Sequence, residues 1–110
     1  MRGFLSFPLF KVKNFVEESF GIFRGKPHRV RIWFSPHVAE FIRSAHWHPG
    51  QRISTQKDGS IIFEATVSGL EDIKFWVMKW GANAVVLEPE FLRNDIIREL
   101  KEMLDNYNER

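Results

Sequence analysis

Residues 28–34, His-Arg-Val-Arg-Ile-Trp-Phe, alternate between two kinds of side chain. Val30, Ile32 and Phe34 fall on one side; Arg29, Arg31 and Trp33 fall on the other. A period of two sends successive side chains to opposite faces of an extended chain, so this segment reads as a strand with one face in a core. Ser35 follows, then Pro36: a helix N-cap residue, then proline at the first helical position, where a missing N–H costs nothing. Val38, Phe41, Ile42 and Ala45 then recur at helical spacing. A strand that feeds directly into an amphipathic helix confines the chain to folds that pack helices on a sheet.

The downstream pattern narrows this further. His48-Pro49-Gly50 ends the first helix. Residues 51–56 and 61–67 read as two strands joined through Lys57-Asp58-Gly59-Ser60, where the Asp-Gly pair is a hairpin signal. Ser68 and Glu71 carry the spacing of a capping box. The helix they introduce has Leu70, Ile73, Trp76, Val77 and Trp80 on its apolar side, and Gly81 is suited to a left-handed stop. Residues 84–87 form a short apolar strand. Pro89 opens a last helix with the stripe Leu92, Ile96, Leu100, Met103, Leu104 and Tyr107.

The order βαββαβ plus one helix predicts an α+β fold, a ferredoxin-like sandwich. Its antiparallel sheet is expected in the order 4-1-3-2, with both internal helices on one face. The opposite face stays open unless the terminal arm, the last helix or a second chain covers it. Residues 28–110 form this domain. Residues 1–27 read as an arm with Phe4, Leu5, Phe7, Leu9 and Phe10, then a short helix over 11–20 with Val12, Phe15 and Val16 on one side. Gly21 and Gly25-Lys26-Pro27 punctuate that segment. The arm, the second face of the sheet and the stripe of the last helix are candidate surfaces for self-association, and a homodimer through one or more of them is expected.

Composition excludes several classes. At 110 residues the chain is one domain by size. It has no cysteine, hence no disulfide framework, thiolate chemistry or cysteine-ligated zinc. It has no apolar run of membrane-spanning length, and a cytoplasmic location is expected. A net charge of +2 is too weak to imply nucleic-acid binding by itself. Eleven Phe and four Trp against one Tyr exceed what one small core needs, which points to aromatic surface contacts.

No catalytic set emerges, and no enzyme activity or cofactor is expected. Ser35, Ser44, Ser54, Ser60 and Ser68 occupy cap, strand or turn settings without a nucleophile elbow, and no phosphate-binding glycine loop is present. His46 and His48, two apart before a proline, lack the converging third and fourth ligands of a metal site, so no metal is expected. Two groups merit attention as binding residues. Trp47, His48, Gln51 and Arg52 combine an aromatic face, an imidazole, an amide and a guanidinium, which suits a stacked base and its phosphate. The structural alternative has Trp47 in the core and His48 capping the preceding helix. Arg29, Arg31 and Trp33 lie mid-sheet on the open face beside Ile62, Glu64 and Thr66, where the alternative is cover by another protein surface. Trp76 and Trp80, four apart on one helix, are assigned to the core.

Several of these segments, taken in order, carry a resemblance. They are Glu18-Ser19-Phe20-Gly21-Ile22-Phe23 with Gly25, Arg31-Ile32-Trp33-Phe34-Ser35-Pro36, Trp47-His48-Pro49-Gly50-Gln51, Gly59-Ser60, Val67-Ser68-Gly69-Leu70, Trp76 to Gly81, and Leu87-Glu88-Pro89. From about Pro8 to Tyr107 the chain resembles the C-terminal extension (WCX) domain of bacterial WYL-domain transcriptional regulators. Gly50 stands where the family's turn is expected to carry serine. The resemblance implies a regulator that binds DNA through a helix-turn-helix upstream, senses an effector such as single-stranded nucleic acid or a nucleotide, and uses this ferredoxin-like domain for dimerisation and signal relay. Arg29, Arg31, Trp33, His48, Gln51 and Arg52 are the residues expected to meet the effector or a partner. A free-standing ligand- or single-stranded nucleic-acid-binding domain, using the open sheet, is the alternative.

Overall fold

A computed structural model describes residues 26–110. The expected arm and the helix over 11–20 lie outside the described residues. Strand β1 (His28–Phe34) leads into helix α1 (Pro36–Arg43); β2 (Arg52–Thr55) and β3 (Ile61–Val67) form the hairpin. Helix α2 (Leu70–Met78), a 3-10 turn (Gly81–Asn83), β4 (Ala84–Glu88) and helix α3 (Glu90–Glu109) complete the chain. The strands make one four-stranded sheet ordered β2-β3-β1-β4, antiparallel throughout, so the fold is α+β with the strand order expected from the sequence.

Strand β1 is central because it has one core face and strands on both edges. Val30, Ile32 and Phe34 are fully buried. In register with them on β3 lie Ala65, Phe63 and Ile61, also buried, and Val86 of β4 faces Ile32. Ala39 and Ile42 of α1 and Val77 of α2 join the same core, with Leu70, Ile73, Trp76 and Trp80 packed against it.

Local chemistry sets the element ends, and in places differently from the expectation. Ser35 is the N-cap of α1 with Pro36 in the first turn, but its hydroxyl makes no capping bond. It donates instead to Asn83 Oδ1 at 2.7 Å, while Ser35 N donates to the Asn83 carbonyl at 2.9 Å, tying the end of β1 to the 3-10 turn. Helix α2 begins one residue later than a capping box at Ser68 requires: Gly69 is its N-cap, without a side-chain cap. Gly81 is left-handed, with φ +63°, but it follows the helix end and opens the 3-10 turn. The hairpin turn is as expected. Gly59 has φ +92°, and Asp58 Oδ1 accepts from both Ser60 N and Ser60 Oγ. Phe41 does not join the core face of α1; it is 57% exposed, and Ala39 and Ile42 occupy that face.

The first turns of α3 close the helical layer beside α2 and do not cover the open sheet face. Leu92 is buried, Ile96 packs on the core, and Arg93 Nη1 donates to the Val86 carbonyl of edge strand β4. Lys74 of α2 is buried except for its pairing with α3, at 3.0 Å to Asp95 and 3.4 Å to Glu99. Burial pushes the Lys74 ammonium down, but the two carboxylates outweigh it and hold its pKa above the ordinary value. That contribution to stability is complete below the ordinary lysine pKa and is lost as pH rises through the raised folded value. Lys74→Ala is therefore expected to cost about 1–2 kcal/mol in urea unfolding at neutral pH, with Lys74→Met costing less because packing is kept. The deficit of Lys74→Ala should shrink in strongly alkaline buffer.

Candidate functional site

The six residues picked out by the sequence fall into two places. Arg29, Arg31, Trp33 and Arg52 share the open sheet face, because Arg52 and Arg31 both stand opposite Glu64 in register. His48 and Gln51 belong to the turn after α1, which packs beside the helical layer through Trp47.

On the open face, period-two alternation brings guanidiniums and carboxylates into one row. Glu64 accepts from Arg29 Nη2 at 2.5 Å and from Arg31 Nε at 3.1 Å. Arg31 also reaches Glu88 of β4 at 3.5 Å. The face is thus a charge-alternating line, Arg29–Glu64–Arg31–Glu88, and not a basic patch. Partial burial pushes the Glu64 carboxyl up, but the hydrogen bonds and charges of Arg31 and Arg29 more than reverse this and hold it below its ordinary value. Beyond this row Trp33 stands between Ile62 and Val85, an apolar strip across three strands. Ile62 is buried and Val85 is exposed. Arg52, exposed on edge strand β2, forms no ion pair among the described residues.

The turn is built by Gln51. Its Oε1 accepts from the backbone N–H of Trp47 at 2.6 Å and of His48 at 3.0 Å, and its Nε2 donates to the Ala45 carbonyl at 3.1 Å. One amide side chain therefore satisfies two backbone N–H groups and one carbonyl of the loop that follows α1. Trp47 contributes a helix cap: its indole Nε1 donates to the Ile42 carbonyl at 2.9 Å. His48 Nδ1 accepts from Gly50 N at 3.1 Å, which requires that nitrogen to be unprotonated. A Cβ at Gly50 would meet His48 Nδ1 at 3.9 Å, ordinary contact, so serine fits this position without strain.

Behind the turn lies a cluster of rings that the sequence indicated only in part. Trp47 approaches Trp76 at 5.3 Å and Trp80 at 6.2 Å; Phe34 approaches the same two at 5.6 and 6.2 Å. Phe41, displaced from the core face, closes the outside of the cluster against Trp47 and Trp80. Trp80 Nε1 is buried and has no hydrogen-bond partner among the described residues. Its ring stands at 90° to Phe34 and 86° to Trp47, an edge-to-face arrangement that suits indole edges and ring faces. Trp47, Trp76 and Trp80 are thus structural. The sequence alone gives Glu88 no site role; the signal for it is the strand order, which sets β4 beside Arg31. Among the described residues no group of three or more His, Asp or Glu is arranged to hold a metal ion. No helix among them is long and apolar enough to cross a membrane.

Two outcomes are expected. Gln51→Ala removes three hydrogen bonds at once and should cost about 1–3 kcal/mol in chemical denaturation. Glu64 titrates below its ordinary value in the folded chain, so its contribution is complete above the usual carboxylate range and is lost as pH falls through the lowered value. An acid titration of stability should accordingly be flatter for Glu64→Gln than for wild type, and equal slopes would remove Glu64 from the acid response.

Comparison with known families places these features. The family model described as the WCX domain matches residues 26–104, which spans the sheet, the internal helices and most of α3. No curated protein matches the chain. A central strand bearing Arg31 and Trp33, a Trp-His-Pro-Gly-Gln turn locked by its glutamine, and a family match across the whole described sheet lead to one assignment: the chain belongs to the WCX domain family.

Proposed function

We propose that this domain is the C-terminal regulatory and oligomerisation module of a cytoplasmic WYL-family DNA-binding transcriptional regulator, supporting dimerisation and effector sensing. The observation that carries this is the WCX match over residues 26–104, since WCX domains are known from WYL-family regulators. Charge agrees with the division of labour. The whole chain is only +2, and with Arg29 and Arg31 engaged by carboxylates the open sheet face is not the unbalanced positive surface of a DNA-binding face, so DNA contact falls to a helix-turn-helix elsewhere in the regulator. The same pairing weighs against a free-standing nucleic-acid-binding domain, because an incoming phosphate must displace Glu64 before it reaches either guanidinium. The effector contact therefore centres on Arg52 and Trp33, with Arg31 available by exchange of partner. A single-stranded nucleic acid or nucleotide fits those groups by stacking and phosphate pairing.

The coding sequence upstream of Met1 provides one test: an in-frame winged helix-turn-helix and WYL segment is expected, and a neighbourhood with neither overturns the assignment. In the intact regulator, Arg52→Ala and Arg31→Ala should each weaken the effector response with the fold retained by circular dichroism. Each lost phosphate contact should reduce the slope of log affinity against log salt by about 0.7 for a single strand. Wild-type response from both variants across a salt series would make these residues structural.

A further inference from the structure

Glu64 stands between two arginines that the register sets on either side of it. Arg52 of β2 and Arg31 of β1 both face it, and Glu88 of β4 faces Arg31 in turn. Each strand thus gives one residue to a single row on the open face, Arg52–Glu64–Arg31–Glu88, alternating in sign. Cross-strand neighbours of this kind have Cβ atoms about 4.5–5.5 Å apart. Pairing within the row is uneven. Glu64 Oε1 accepts from Arg29 at 2.5 Å and Oε2 from Arg31 at 3.1 Å, while Arg52 forms no ion pair among the described residues. A carboxylate with a separate guanidinium on each oxygen occupies the position that a bound oxyanion would take.

We propose that Glu64 is a built-in competitor for the effector's phosphate: it fills the place on the open face where a phosphate would bridge Arg31 and Arg52, and binding turns it aside onto Arg29. The inference rests on the effector contact proposed above and names the regulation of that same site. Geometry puts Glu64 in the way. Arg31 and Arg52 lie two strands apart, about 9–10 Å, and β3 runs between them with Glu64 in the same row. A phosphate held by both guanidiniums therefore sits over Glu64 and meets its charge. Glu64 titrates below its ordinary value, so at neutral pH the competition is in force. Displacement costs little, because pairs of this exposure add little stability and Glu64 keeps Arg29 when it releases Arg31. Glu88 has a different place. It touches Arg31 from the far side, at 3.5 Å, and lies about 10 Å from the position over β3, near the screening length at physiological salt. The competing charge also gives selectivity. A bare anion has only the two guanidiniums with which to displace Glu64. A nucleotide has in addition Trp33, on the same face and about 7 Å along β1 from Arg31, on which its base can stack.

The test titrates the 110-residue chain with inorganic phosphate and with AMP at constant ionic strength, following the arginine Nε–Hε resonances by NMR. Arg31 and Arg52 should move together with one saturable constant, and AMP should bind more tightly than inorganic phosphate. Glu64→Gln should tighten both ligands about three- to tenfold, from one exposed ion pair given up and one like-charge contact removed. Glu88→Gln should change either constant by less than about twofold, since its charge is largely screened at that distance. Arg52→Gln should abolish the saturable response of Arg31. An equal gain from Glu64→Gln and Glu88→Gln means a general effect of net charge and overturns the proposal, as does an Arg98 resonance that moves with the same constant. Saturable binding at both arginines with no gain from Glu64→Gln overturns the competition and leaves the effector contact standing. No saturable shift at Arg31 or Arg52 in wild type or in Glu64→Gln overturns both the competition and the anion contact, while the upstream coding sequence still decides the regulator assignment separately.

Discussion

The fold hangs on Phe34. It is the last residue of the central strand, fully buried, and its ring meets Phe63 of the neighbouring strand and Trp76 and Trp80 at the helical layer. Aromatic pairs of this kind contribute about 0.5–1.5 kcal/mol each beyond the area they bury. Through Trp76 and Trp80 the same ring reaches Trp47, whose indole N–H closes the end of α1. Sheet, α2 and the turn after α1 are therefore locked by one contiguous set of planar side chains. The next residue, Ser35, adds the polar half of the junction by pairing with Asn83 in both backbone and side chain. A strand that ends in this way cannot slip by one residue without exchanging its buried side chains for Arg31 and Trp33.

How far the sequence reveals this depends on which interactions are local. Strand β1, the Asp58-Gly59 turn and the strand order are legible because period-two alternation and a left-handed glycine are properties of a few adjacent residues. The end of α1 is less so. Trp47 and Gln51 sit beyond any helical period, and only their need for hydrogen-bond partners hints that they turn back onto Ile42 and Ala45. Ser68 misleads for a related reason: a serine three before a glutamate has the spacing of a capping box, but Gly69 takes the cap position. Phe41 misleads in another. At helical spacing it belongs with Ile42, yet the ring cluster offers it an outside edge between Trp47 and Trp80, and tertiary packing overrides the period. On α3 the stripe is plain from the sequence, but nothing local says that the domain takes up only its first turns.

The candidate site shows the same division. Arg29, Arg31 and Trp33 are legible as an outward row on a central strand, and Glu64 as their neighbour. What one strand cannot reveal is the balance of charge across three. Glu64 is shared by two guanidiniums and Arg31 by two carboxylates. Exposed pairs of this type add little stability, about 0–1 kcal/mol each, so the row is cheap to rearrange. A row that is cheap to rearrange differs in function from a fixed basic patch. An anion approaching Arg31 competes with Glu64 and Glu88 for the same N–H groups, and a carboxylate displaced there is free to turn toward Arg29 or toward Arg52, opposite it in register.

An exchange of this kind rearranges only exposed pairs and leaves the strands in place, and a ligand shifts it only by its differential affinity for the two pairings. The ring cluster on the other side of the sheet has no such freedom, since its members are packed against one another and against a buried strand. The domain thus pairs a rigid helical face with an adjustable sheet face. The free half of α3 extends from the rigid side, anchored by Lys74 and Arg93. A change of charge partners on the sheet therefore alters what the open face presents without disturbing the packing of the helical layer behind it.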